Sequence, residues 1–331
     1  MPSRWIVGAI LTFWLASAGW LFWREIGARY FLEQPPSLST DIGDEATTAA
    51  PETLWSLHRL EKDGSLKEIG RAATKLQYFP EDDTFSLIGR MYQVKLEYPL
   101  LGFGTLEVQI PDLNTGNRVT RAGIIRETAA QGKMAIALNL GGVTLPPMQF
   151  EADLHGKVVD TTIAWKILVR SKDGAFGKWE IQPEIPPTAV PSGSVINPLQ
   201  PLNRIRDLRA GQSWEQSLID PIADAMQAAV PQLIQEMSKS SGVKPNQLPK
   251  IDLPIATRPI LRARVLSEQR DLLWQGVTDR CRIIEYTAGE ELVGRTWVAV
   301  ENDLVMRQEA FQAGESLIMQ REDPSRSELK K

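Results

Sequence analysis

The sequence predicts a mainly β protein: an N-terminal transmembrane helix, then antiparallel curved sheets, half-barrel or sandwich-like, with one inserted amphipathic helix. Three observations carry that expectation. An uncharged run bounded by Trp5 and Trp23 has only Thr12 and Ser17 as polar interruptions. Alternating apolar segments separated by turn residues recur about every ten positions afterwards, as in meanders, sandwiches and barrels. A single stretch, 221–240, instead carries apolar residues at helical spacing.

At about 1.5 Å per residue the opening run reaches about 29 Å, close to the thickness of a hydrocarbon core. Two readings compete. Ala16, Ser17 and Ala18 form a small-x-small site of the kind a signal peptidase cuts, yet the hydrophobic run continues through Trp20, Leu21, Phe22 and Trp23. Span length favours an anchor, placed at residues 1–29, with Trp5, Trp20 and Trp23 where indoles favour the interface. Arg4 and the terminal amine precede the run and Arg24 and Arg29 follow it, so flanking charge gives no vote on orientation. A strand-rich domain behind a signal-anchor is most easily placed outside the cytoplasm. The expected location is therefore the inner, cytoplasmic membrane, single-pass, with the C-terminal domain extracytoplasmic.

Cys281 is the only cysteine, so no intrachain disulfide forms and no lipoprotein anchor follows the span. Net charge is −4 with a pI near 5.5. Opposite charges are interspersed, which argues against nucleic acid as a partner. The local basic stretch at Arg258, Arg262 and Arg264 reads as one solvated strand face.

Residues 30–52, with Pro35, Pro36, Pro51 and a polar stretch, read as a flexible linker. A first β-rich domain spans 53–182, with strands at 55–60, 69–78, 84–88, 92–98, 104–110, 119–126, 133–140, 148–154 and 158–169. Asp63-Gly64 supplies the positive φ of a hairpin turn. Further turns are expected at 80–83, 114–117, 141–142, 155–157 and 172–174. Residues 183–260 form a proline-rich segment carrying the helix: Asp220 as N-cap, Pro221 at its first position, then Ile222, Met226, Ala229, Leu233 and Met237 in a stripe. Pro231 should kink or split it. The helix covers a sheet edge, or it is a lid with adaptable methionines. A C-terminal meander occupies 261–323, as one sheet with the first set or apart from it, and 324–331 is a disordered tail.

Within that meander, Trp274-Gln275-Gly276, Cys281-Arg282-Ile283-Ile284-Glu285-Tyr286, Arg295-Thr296-Trp297-Val298 and Asp303-Leu304-Val305-Met306-Arg307-Gln308-Glu309 resemble a bacterial envelope family known only as a domain of unknown function. A weaker match lies at 208–212. The resemblance implies the curved half-barrel of periplasmic lipoprotein carriers, whose concave face can shelter apolar ligands. Trp274, Trp297, Met306 and Phe311, with Met226 on the nearby helix, are the candidate residues for such a face. The alternative is ordinary core packing by the same side chains.

The inventory of reactive residues shows no recognisable catalytic constellation. His58 and His155 are the only histidines and neither is near a second metal-ligand pair. Cys281 lies in an alternating strand where Arg280 and Arg282 point to the opposite face, so packing is the expected role. No GxSxG, Walker or GxGxxG pattern is present. No cofactor and no metal are expected. The sequence thus favours a non-catalytic envelope protein that binds a lipid or other apolar ligand. A scaffold contacting envelope partners through sheet edges, or a hydrolase of another type, are the alternatives.

Overall fold

The computed structural model describes residues 13–14, 17, 52–61, 63–100, 104–120, 124–140, 143–144, 147–173, 178–190, 203–217, 221–241, 260–312 and 315–322. Most of the expected anchor, most of the linker, the tail, the 141–142 turn and Asp220 lie outside them. Phe13 and Trp14 are helical and mostly exposed. Among the described residues no helix is long and apolar enough to cross a membrane.

All strand pairings are antiparallel. The first set is β1 (Thr53–Leu60), β2 (Leu66–Phe79), β3 (Thr84–Leu100), β4 (Gly104–Thr120), β5 (Ile125–Leu140), β6 (Val143–Thr144), β7 (Met148–Val159), β8 (Thr162–Asp173), β9 (Trp179–Ile181) and β10 (Thr188–Ala189). The second is β11 (Ser213–Ser217), β12 (Ile260–Val265), β13 (Arg270–Trp274), β14 (Val277–Ala288), β15 (Glu291–Ala299), β16 (Val305–Gln312) and β17 (Glu315–Arg321), with helix α1 (Pro221–Ser241) after β11. β1 pairs with both β2 and β17, so the two sets share one sheet. From there it runs through β3, β4, β5, β7 and β8 on one side and through β16, β15, β14 and β12 to β11 on the other.

One face of this sheet is mainly apolar, interrupted by Thr115, Asn117, Thr128, Thr296 and Gln308. Register links Trp55, Ala72, Met91, Leu113, Gly132, Ala152, Val169 and Ile181 across successive strands. Three packed clusters form on it. Trp55, Leu57, Val94, Trp214, Ile284 and Tyr286 belong to the largest, with Leu96 and Ile110 of β3 and β4 packed beside Val293 of β15. The sheet therefore turns back over itself. Gln93, at φ 56, marks the corner. Gly70 lets the chain pass, because a Cβ there would stand 2.8 Å from the Val94 Cα. A second cluster seats Ala225 and Ala229 of α1 on Ala130, Leu154, Ile167 and Val169, and a third surrounds Phe85.

Several local expectations change. Asn114, Thr115, Gly116 and Asn117 are not a turn; β4 runs straight through them. Their polar side chains bond within and across strands instead: Thr115 donates to the Gly89 carbonyl and Thr128 donates to Asn117. His155, Gly156 and Lys157 lie inside β7, and the chain reverses at 160–161. Gly156 makes room for an indole, since a Cβ would lie 2.7 Å from the Trp165 ring. α1 continues through Pro231 unsplit; that proline is exposed, so the carbonyl it leaves unbonded can face water. Arg262 and Arg264 are exposed between buried Leu261, Ala263 and Val265, as their alternation requires.

Gly70→Ala should lower stability by about 1–3 kcal/mol through overpacking against backbone. Gly116→Ala, where a Cβ meets nothing within 4 Å, should stay within about 0.5 kcal/mol of the parent. Denaturant titration of both variants checks this, and equal effects would sink the close-approach account.

Candidate functional site

The opposite face of the second strand set carries a strip of polar side chains that are buried rather than solvated. Register aligns Ser56, Gln320, Arg307, Trp297 and Ile283 in one row. His58, Ile318, Glu309, Arg295 and Glu285 form the next. The cover comes from β13 and β14, which extend beyond β15 as a hairpin. Its two turn residues, Gln275 and Gly276, have φ of 51° and 81°, the pattern of a type I′ turn. Leu272 on that arm packs with Cys281, Ala299 and Met306, against which Trp297 and Leu304 rest. Trp274, at the arm's end, meets the His58 ring edge-on at 5.4 Å.

Beneath the arm some polar groups bond one another, while His58 Nδ1, Trp274 Nε1 and Gln275 Oε1 are buried without a hydrogen-bond partner. Arg307 Nε donates to Gln320 Oε1 at 2.6 Å, and Gln320 Nε2 donates to the Met306 carbonyl at 2.9 Å. Arg307 also lies 3.7 Å from Glu309 and over the Trp297 ring at 6.0 Å. Nearer the rim, Arg295 donates to Glu285 at 2.8 Å and covers the Phe311 ring at 5.6 Å. Burial pushes Glu309 up and Arg307 down, and their mutual attraction opposes both shifts.

His58 and Ser56 raise the question of nucleophilic chemistry, with Nε2 2.9 Å from Oγ. Ser56 Oγ donates to the Gln320 carbonyl. That contact is long, at 3.4 Å, so whether the serine proton goes to the Gln320 carbonyl or to the imidazole depends on the His58 tautomer. Nδ1 is buried with no hydrogen-bond partner, so no carboxylate orients the ring as a triad would require. Burial, the largest influence, lowers the His58 pKa; Glu68 works against it and Arg307 with it. Burial likewise pushes the Cys281 thiol up to about 12, the reverse of a reactive cysteine. His155 is exposed. Among the described residues no group of three or more His, Cys, Asp or Glu could hold a metal ion.

The five residues singled out from the sequence are distributed unevenly. Trp297 and Met306 share one small core under the arm, Trp274 lies against His58, and Phe311 sits under Arg295. Met226 is elsewhere, packed with α1 on β5, β7 and β8. The buried Ser56, Glu309 and Gln320 and the half-buried Arg307 were not foreseen. Arg307 and Glu309 flank Gln308 in a run of three polar residues that reads as solvated, and nothing local reports that a hairpin covers them.

His58 is uncharged in the fold, so its contribution to stability is present above pH 6.5, its ordinary value, and is lost as pH falls toward the lowered folded value. His58→Gln, which keeps a donor for Ser56, should flatten that part of the stability profile measured by urea titration. Cys281 should resist maleimide at neutral pH and react only after unfolding. Prompt labelling of the native chain would contradict its burial.

No family model matches the sequence, and no curated protein matches it. Among solved structures the chain is similar to a crystal structure from Brucella abortus described as a β-barrel-like protein of domain of unknown function DUF1849. Identity is 8%, the match covers 82% of this chain and 95% of that one, and the TM-score is 0.34. A likeness at that score leaves fold and function to be argued from this chain's own residues.

Proposed function

We propose that this protein is a non-catalytic, half-barrel-like binding module, tethered to the inner membrane by the run from Trp5 to Trp23 and acting on its extracytoplasmic side on an apolar ligand. One observation carries the reading. Past the corner at Gln93, β3, β4 and β5 present a ladder of apolar side chains that the rest of the described chain covers only in part. Leu96, Val108 and Ile136 form one cross-strand row, and Tyr98 and Leu106 belong to the next. All are half-buried or exposed, with Tyr98 38% exposed. The other face of the same strands carries Lys95 and Gln109 in one row and Glu97 and Glu107 in the next, so the apolar side is a built face rather than a hydrophobic strand in general.

Leu96 and Ile110 join this ladder to the main core, so a ligand lying on it would extend a packed surface. The arm-covered strip under Trp274 is less suited to such a ligand: its space is filled by Leu272, Met306 and Trp297.

A membrane-borne, apolar photoactivatable fatty acid tests the proposal on the full chain. Labelled peptides should include 104–110 and 133–137 as well as the N-terminal run. Val108→Asp should remove the former without touching the latter. Labelling confined to the N-terminal run would overturn it.

A further inference from the structure

The hairpin arm projects beyond the ladders that fix the rest of its strand. Among the described residues β13 pairs only with β14, and β14 pairs with β15 only from Cys281 onward. Residues 277–280 therefore hold to the sheet through β13 and through the Val300 N–H, which donates to the Arg280 carbonyl at 2.9 Å. Leu272 and Trp274 face the strip, while Leu273 between them is 68% exposed, so the arm is a single side-chain layer thick. Its end is weakly fastened. Leu272 joins the small core of Cys281, Ala299 and Met306, and beyond it the contact is Trp274 edge-on to His58. Trp274 Nε1, Gln275 Oε1 and His58 Nδ1 all lie buried there without a hydrogen-bond partner, which opposes closure.

His58 is 7% exposed on a strand whose backbone is paired on both sides. The cover that can move without breaking those pairings is the arm. Charged groups come from every element around the ring: Glu68 and Arg71 on β2, Arg307 and Glu309 on β16, Glu322 just past β17, and Asp279, which shares the inward face of Leu272 on the arm. Burial opposes a charged ring most, and Arg307 adds to it, while Glu68 and Glu322 work the other way. In either tautomer the imidazolium carries an Nδ1–H, which has no acceptor while the arm is closed. Water supplies one when the arm is open. A cap that parts only when the whole fold does is the plain alternative, but it does not account for an arm that outruns its ladder and ends on unpaired polar atoms over a buried histidine.

We propose that the β13–β14 arm is an acid-released latch: it lies on the strip while His58 is neutral and swings out about Cys281 when the imidazole takes a proton from solvent. Opening withdraws Leu272 and Trp274, wets His58 and exposes Arg307, Glu309 and Gln320. The closed arm prefers the neutral ring, so closure is fully favoured above pH 6.5 and is lost as pH falls toward the lowered folded value. A single proton limits the change in the open-to-closed ratio to about tenfold per pH unit.

Cys281, the chain's one thiol, is buried beside Leu272 and reports the opening. The full chain in phosphatidylcholine nanodiscs is treated with 4,4′-dithiodipyridine, which reacts with thiols in weak acid, from about pH 7.5 to about pH 5. Each rate is divided by that of the urea-unfolded chain at the same pH. The ratio should be flat above neutrality and rise by up to about tenfold per pH unit below 6.5, with a urea dependence much shallower than that of global unfolding. His58→Gln should remove the rise, and His155→Gln, at an exposed histidine, should leave it intact. Trp274→Ala should label several-fold faster than the parent at neutral pH. A flat profile in the native chain, a rise that persists in His58→Gln, no acceleration in Trp274→Ala, or a urea dependence as steep as global unfolding would overturn the latch. The native chain's pH and urea profiles decide the question even if a variant fails to fold.

Discussion

β1 is the strand on which the two halves depend. It is eight residues long and pairs along its length with β2 on one side and β17 on the other. Both of its faces are buried, with Trp55 and Leu57 in the main core and Ser56 and His58 in the polar strip under the hairpin arm. Fully burying a side chain the size of leucine contributes about 1.5–3 kcal/mol. Trp55 adds a hydrogen bond from its indole to Thr74, and the Arg321 guanidinium stands 5.9 Å from its ring. A strand that closes two ladders and two layers at once leaves little freedom in register, because a one-residue slip would exchange its apolar and polar faces.

The polar strip fits that constraint better than it fits catalysis. Burying an Arg307–Glu309 pair costs desolvation that the pair's attraction offsets only in part, so its presence is weak evidence for added stability. What the strip does is discriminate. Arg307 finds Gln320 only in the observed β16–β17 register, Gln320 reaches the Met306 carbonyl only there, and Ser56 meets the Gln320 carbonyl only when β1 is docked correctly. Trp274 closes the strip from above. Here buried polarity specifies one pairing among the several that an alternating sequence would allow.

Much of the architecture was legible because strand signals are local. Asp63-Gly64, Ala288-Gly289 and Ala313-Gly314 separate alternating runs, and Pro221 opens a helix whose apolar stripe is plain in the sequence. Cys281 was readable as core from alternation alone, and the structure buries it completely. The failures share a cause. Residues 114–117 and 155–157 look like turns because their side chains can bond nearby backbone, yet their partners are on adjacent strands, which no local pattern reveals. Trp297 and Met306 meet because both belong to one meander, whereas Met226 was joined to them by a fold analogy that the packing of α1 does not follow.

The pairing of β1 with β17 has a consequence in time. Ser56 and Gln320 are 264 positions apart, so an N-terminal strand can satisfy one of its edges only after almost the whole folded region has been synthesised. Until then β1 can form its local hairpin with β2 while Ser56 and His58 wait for partners. Long-range closure of this kind is slow and leaves a strand edge open to wrong neighbours. Closure of this fold is therefore a late step, and the nascent chain is most vulnerable to aggregation before β17 is free to pair with β1.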